Sequence, residues 1–126
     1  MGQICSTADI HHNLSQCLLA ARKASDSGAK ALFLPEASDY IASSAAESVS
    51  LALPAASSPF VQGLQKAAKD YTMAINVGVH EPADGGTRVK NTLLWIDEEG
   101  NIPQRYQKVH MFDVDIDNGP ALRESE

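Results

Sequence analysis

The sequence is poor in most of the residues that announce a function. Only 10 of its 126 residues are lysine or arginine, against 16 aspartates and glutamates, so the net charge is −6. A nucleic-acid footprint needs a basic face, and none can be assembled from this balance. There are two cysteines, Cys5 and Cys17, in no Cys-x-x-Cys arrangement. A structural zinc site is therefore not indicated, and two thiols without a secretion signal read as reduced cysteines rather than a disulfide scaffold. No apolar run approaches membrane-spanning length. The first residues, Met1-Gly2-Gln3-Ile4-Cys5-Ser6, carry neither a charged leader nor a long apolar core, so no signal peptide and a cytoplasmic location are expected. Gly2 with Ser6 permits N-myristoylation, but Gly2 to Cys5 reads as the tail of a strand, and Gln3 to Ser6 as the close of a short first strand. Glycine-rich phosphate loops are missing too. The turn after that first expected strand is Ser6-Thr7-Ala8-Asp9, without the glycines of a dinucleotide-binding turn or a P-loop.

What is present suits one globular domain: 44% hydrophobic and 21% charged residues over 126 positions. Leu14, Cys17, Leu18, Ala21 and Ala24 recur at helical spacing between the helix-start residues Thr7 and Asp9 and the breaker Gly28, predicting a helix over about 11–27. Ala31 to Leu34 form an unbroken apolar run, as in a parallel strand covered on both faces, and Pro35 ends it. Strand, helix and strand then make a βαβ unit. Ser43 to Ser48 suit a short serine-capped helix. Ser58-Pro59 opens a longer amphipathic one with Phe60, Val61, Leu64, Ala67, Ala68 and Tyr71 on its apolar face. Strands are expected over 73–80, 90–97 and 102–108. The turns Pro82 to Gly86 and Glu98 to Asn101 join them as an antiparallel meander. The fold class is α/β.

Glu36 follows the buried strand directly, at the carboxyl end of a central strand, where open α/β sheets place ligand chemistry. The bland alternative is an exposed loop glutamate. Lys108 closes the last meander strand. A lysine there is ordinarily a surface charge, but facing Glu36 it would offer a cation to a developing oxyanion. His11 and His12 are adjacent on a helix and point apart, so they read as solvent-facing rather than as metal ligands. Asp113, Asp115, Asp117 and Glu124 echo the spacing of a calcium loop. Asn118 stands where the loop needs glycine, and a strand rather than a helix leads in, so an acidic loop is the simpler reading.

Three stretches fall in one order: Phe33-Leu34-Pro35-Glu36, then Tyr106-Gln107-Lys108-Val109-His110-Met111-Phe112-Asp113, then Glu124-Ser125. With the opening Gly2 to Ser6 and the strand residues Lys90-Asn91-Thr92, they resemble the nitrilase, or carbon–nitrogen hydrolase, superfamily along essentially the whole chain. Glu36 to Ala42, Ala46-Glu47 and Lys108 to Ile116 resemble its Nit branch most.

That resemblance implies an α-β-β-α sandwich, of which residues 1–126 would be the N-terminal half. It implies a catalytic set of Glu, Lys and Cys with a second Glu in support. Glu36 would be the general base, Lys108 the oxyanion-stabilising cation and Glu124 the supporting glutamate. The nucleophilic cysteine is expected downstream of Glu126, in a Cys-Tyr-Asp type of turn that this chain does not contain. No cofactor and no metal are implied. The implied substrate is a small acid amide, foremost deaminated glutathione cleaved to 2-oxoglutarate and Cys-Gly, with ω-amidase action on 2-oxoglutaramate-type acids as the alternative. A homo-oligomer is implied for the full-length form, and the mitochondrion as a second location beside the cytoplasm. Residues 1–126 by themselves are expected to be inactive for want of the nucleophile. With one sheet lacking its partner layer, they are also expected to be poorly stable alone or to self-associate as a non-catalytic fragment.

Overall fold

Ser58 and Pro59 begin the helix that buries the most residues, five against three for the first helix. In a computed structural model that describes residues 1–111 and the strand backbones of 113–115 and 121–123, Ser58 Oγ accepts the Val61 amide at 3.4 Å. Pro59 occupies the first turn, where no amide hydrogen is needed. Phe60, Val61, Leu64, Ala67 and Ala68 of this helix, Pro59–Tyr71, are buried. Tyr71, expected on the same face, is 37% exposed at the helix's last position, where Thr72 turns left-handed with φ 47°.

In chain order the elements are α1 (Ile10–Asp26), β1 (Ala31–Phe33), α2 (Ala45–Leu51), a single 3-10 turn (Ala55–Ser57), α3 (Pro59–Tyr71), β2 (Ala74–Pro82), β3 (Val89–Ile96), β4 (Gln104–Gln107), β5 (Asp113–Asp115) and β6 (Ala121–Arg123). Asp9 caps α1 by accepting the His12 amide at 3.0 Å, and α1 lies across α3. Gly63 of α3 permits that approach, because a Cβ there would stand 2.9 Å from both methyls of Leu14. His11 and His12 are exposed, as expected.

Cys17 and Ala21 are completely buried beneath α3. Burial pushes the Cys17 thiol up to about 12, with the nearby Asp39 charge adding to the effect. Cys5 is exposed. A thiol reagent at pH 8 is therefore expected to label one cysteine of the native chain, Cys5, and a second only after denaturation. Mass spectrometry of the labelled peptides checks this. Rapid native labelling of Cys17 would contradict its burial.

The main sheet has the order β1-β2-β3-β4. β1 is parallel to β2, and β2-β3-β4 form the expected antiparallel meander. The crossover from β1 to β2 runs through α2 and α3. On the helix-covered face Leu32, Ile75, Val77, Val79, Leu94 and Ile96 join the core. Each such aliphatic side chain contributes about 1.5–3 kcal/mol by leaving water.

Two expectations need correction here. Gln3 to Ser6 is not a strand. Only Gly2 reaches β1, its amide bonding Phe33 O at 2.8 Å. The Gln16 side chain of α1 instead takes both polar groups of Cys5, accepting its amide at 3.1 Å and donating to its carbonyl at 2.8 Å. A side-chain amide thus stands in for a neighbouring strand, and the parallel unit is β1-α3-β2 rather than one through α1. Second, β1 is covered on one face only. Leu32 and Leu34 are buried, whereas Phe33 is 47% exposed and leans on Trp95 with ring centroids 6.0 Å apart. Phe33, Leu93 and Tyr106 lie on the face of the sheet away from the helices, all of them exposed.

β5 and β6 pair antiparallel. Both strands lie inside the acidic stretch 113–124, where a calcium-binding hand has a loop between two helices. Asp117 and Glu124 lie outside the described residues. Among the described residues no helix is long and apolar enough to cross a membrane.

Candidate active site

Pro35 ends the β1 ladder, but the chain does not leave the sheet. The Leu34 amide still bonds Asn76 O at 2.8 Å, and the Gly78 amide reaches back to Pro35 O at 3.2 Å. Ala37 then adopts φ 52°, left-handed and costly for a residue with a Cβ. Ser38 closes the turn: its amide donates to Gly78 O at 2.9 Å and its hydroxyl to Pro35 O at 2.7 Å. The turn bearing Glu36 is thereby folded flat over β2. Gly78 makes the fit possible, since a Cβ on it would stand 2.6 Å from Glu36 Cα and 3.2 Å from Pro35 O.

The next residues pin this turn from the other side. The buried Asp39 carboxylate accepts the Tyr40 amide at 2.9 Å and the His80 amide at 2.7 Å, and its Oδ1 lies 2.9 Å from His80 Nδ1. The Tyr40 ring stacks on His80 with centroids 4.4 Å apart. The Tyr40 phenol donates to Ser48 O at 2.9 Å, and burial pushes its pKa up to about 12. Asn13, fully buried on α1, donates to the carbonyls of both Thr7 and Asp39, at 2.7 and 2.9 Å. An unpaired amide in that position would cost about 1–3 kcal/mol, and every one of its polar groups is matched.

Glu36 projects from this turn toward β3 and the end of β4. Lys108 Nζ lies 3.1 Å from Glu36 Oε1, across 72 positions of sequence. Asn91 Nδ2 donates to the same oxygen at 2.9 Å. The Lys108 amide donates to Asn91 O at 2.8 Å, extending the β3-β4 ladder one bond beyond its last registered pair, Thr92 and Gln107. The Glu36 side chain is 56% exposed and that of Lys108 27%. An ion pair this wet adds only about 0–1 kcal/mol to stability, so its geometry matters more for what it can do to a bound molecule than for the fold.

The two sequence-selected residues Glu36 and Lys108 are thus brought together, while Glu124, the third, lies outside the described residues. Neither cysteine belongs to this group: Cys17 is in the core beneath the helices, and Cys5 is tied to α1 through Gln16. Among the described residues no cluster of metal-ligating side chains occurs. Three contributors were not singled out from the sequence for any role. Asn91 had a signal, since it sits in the Lys90-Asn91-Thr92 strand. Gly78 had the weaker one of a glycine inside a strand pattern, which marks a close backbone approach. The Asp39–His80 contact spans 41 positions and left no local trace.

A carboxylate beyond β1 and an ammonium beyond β4 thus meet at one end of a mixed sheet that carries a layer of helices, half of an α/β sandwich. The chain belongs to the carbon–nitrogen hydrolase family, whose sequence model matches residues 1–126. It is 37% identical over 126 residues to a probable hydrolase, nit2, of Schizosaccharomyces pombe, covering 99% of this chain and 46% of that protein. Deaminated glutathione amidase of Mus musculus is 29% identical over 126 residues, 98% of this chain and 39% of that one. The crystal structure of the C. elegans NitFhit protein superposes with a TM-score of 0.85 at 25% identity, over 98% of this chain and 30% of that one. The chain therefore spans less than half the length of these relatives, and its layers are those of the nitrilase-superfamily fold.

Proposed function

We propose that this chain supplies the general base and the oxyanion cation of a Glu-Lys-Cys amidase. The observation that carries the reading is the 3.1 Å contact between Glu36 and Lys108. It supports the reading because it joins, at one end of the sheet, the two residues carried by the Leu34-Pro35-Glu36 and Lys108-Val109-His110 stretches. In the proposed reaction a cysteine thiol, placed in sequence beyond Glu126, attacks the amide carbon as its proton passes to Glu36. The carbonyl oxygen becomes an oxyanion, stabilised by the Lys108 ammonium. The C–N bond then breaks, and the amine leaves with the proton returned by Glu36. This gives a thioester on the cysteine. Water attacks that thioester, losing its proton to Glu36, and the acid is released with regeneration of the thiol. Glu124 is proposed to support Glu36 and Lys108. Residues 1–126 alone hold the base and cation without the nucleophile and are proposed to be inactive.

The substrate proposed is deaminated glutathione, giving 2-oxoglutarate and Cys-Gly. It is supported by the likeness to the mouse deaminated glutathione amidase and by the run Glu36 to Ala42. The test is to incubate the protein, at its full natural length, with deaminated glutathione and with 2-oxoglutaramate and to measure the 2-oxoglutarate released. The higher kcat/KM is expected for deaminated glutathione. A preference for 2-oxoglutaramate would select the ω-amidase reading, and release from neither would sink the substrate assignment.

A further inference from the structure

The carboxylate of Glu36 is held asymmetrically. Oε1 takes two hydrogen bonds, from Lys108 Nζ at 3.1 Å and Asn91 Nδ2 at 2.9 Å. Among the described residues Oε2 accepts none. Asn91 is also the one described residue bonded to both members of the pair, because its carbonyl takes the Lys108 amide at 2.8 Å. It reaches this position through register. Asn91 stands opposite His80 on β2, and His80 is where Asp39 fastens the turn that carries Glu36. Turn, β2, β3 and the end of β4 therefore meet at Asn91.

We propose that Asn91 is a positioning residue for the general base: with Lys108 it anchors Oε1, so that Oε2 is the atom that receives and returns the proton. This rests on the amidase reading given above. A half-exposed glutamate has three side-chain torsions to settle. One ammonium on a flexible stem fixes its charge but not its plane, whereas a planar amide donor at a second angle fixes the plane as well. A base must lie within about 2.6–3.2 Å of the proton it takes, and a swivelling carboxylate would satisfy that only part of the time. Asn91 thus acts through Glu36 and not on substrate, so its loss should lower kcat and leave KM alone.

The side-chain and main-chain roles of Asn91 separate cleanly under substitution. Asn91→Ala removes the bond to Glu36 but keeps the carbonyl that holds Lys108. Asn91→Asp keeps the size of the side chain and replaces the donor by an acceptor facing Glu36. In the protein at its full natural length, Asn91→Ala is expected to lower kcat roughly ten- to hundred-fold, the worth of a hydrogen bond to a charged group. KM should stay within about two-fold, and Asn91→Asp should fall at least as far. If Asn91→Ala also lowers the melting temperature, Asn91→Asp, isosteric with the native residue, decides. A kcat within about two-fold of wild type for Asn91→Asp would overturn the proposal, as would a rise in KM at unchanged kcat, which would put Asn91 on the substrate. Glu36→Gln is assayed beside them. An undiminished rate in that variant would count against Glu36 as base, whereas loss in Glu36→Gln with full activity in both Asn91 variants would count against Asn91 alone.

Discussion

Replacement of Glu36 by glutamine in the full-length protein is expected to lower kcat/KM by about 10²–10⁴-fold, the usual range for loss of a positioned general base, with no change in melting temperature. Glutamine has the size of the native side chain, and its carbonyl oxygen can still accept from Asn91 and Lys108. What it cannot do is take a proton from a thiol or from water. Glu36 is more than half exposed, so its charge is not a buried one whose removal would relieve or unsettle the core. The variant therefore separates chemistry from folding. Steady-state amide hydrolysis with thermal melting of both proteins checks it. A Glu36→Gln enzyme within tenfold of wild type would remove Glu36 from the mechanism.

A single methyl group on Gly78 is expected to do nearly as much. In Gly78→Ala the new Cβ would fall 2.6 Å from Glu36 Cα, with Pro35 O and the Ala37 amide nitrogen 3.2 and 3.3 Å away. All three are backbone atoms, so no side-chain rotation relieves the clash. The turn must lift away from β2 or β2 must sink toward the helices. Sinking is opposed by Val77 and Val79, which are already packed in the core. Lifting stretches the Ser38–Gly78 and Gly78–Pro35 hydrogen bonds, at 2.9 and 3.2 Å, and carries Glu36 away from Asn91 and Lys108. A displacement of about 1 Å at a reacting group costs on the order of 10² in rate, and overpacking costs about 1–3 kcal/mol of stability. Both should appear together, in kinetics and in denaturant melts. Native activity in Gly78→Ala would mean that the turn has slack not evident in its packing.

Much of this arrangement was readable from residues alone, for identifiable reasons. Ser58-Pro59 and the spacing of Phe60, Val61, Leu64 and Ala67 determine α3 locally, since capping and amphipathicity act within a few turns. Pro35 marked the end of β1, and the ordered Glu36 and Lys108 stretches marked the site. Three features resisted sequence reading because their causes lie far apart in the chain. An apolar run such as Ala31 to Leu34 does not say how many faces are covered, and Phe33 is exposed because nothing in the described chain lies over it. Gln3 to Ser6 has strand-like composition, yet the amide and carbonyl of Cys5 within it are met by Gln16, a helix residue with no local reason to point there. The fastening of Asp39 to His80 pairs two residues that would each be ordinary in isolation. Glu124 lies outside the described residues and keeps its place in the proposal on sequence alone.

The β2-β3 ladder alternates between core and site. Thr92, Leu94 and Ile96 turn to the buried side, and Asn91, Leu93 and Trp95 to the other. A slip of one residue in that pairing would reverse every side chain of β3. Asn91 would swing into the hydrocarbon interior, Leu94 and Ile96 would emerge into water, and Lys108 would lose its bond to the Asn91 carbonyl. Burial of the two aliphatic side chains opposes such a slip by about 3–6 kcal/mol together. Leu94 and Ile96, on the far side of the sheet from the carboxylate, thus act as a register lock for the hydrogen bond made by Asn91. Polar substitution of either would be felt at Glu36 through mispairing rather than through any contact of its own.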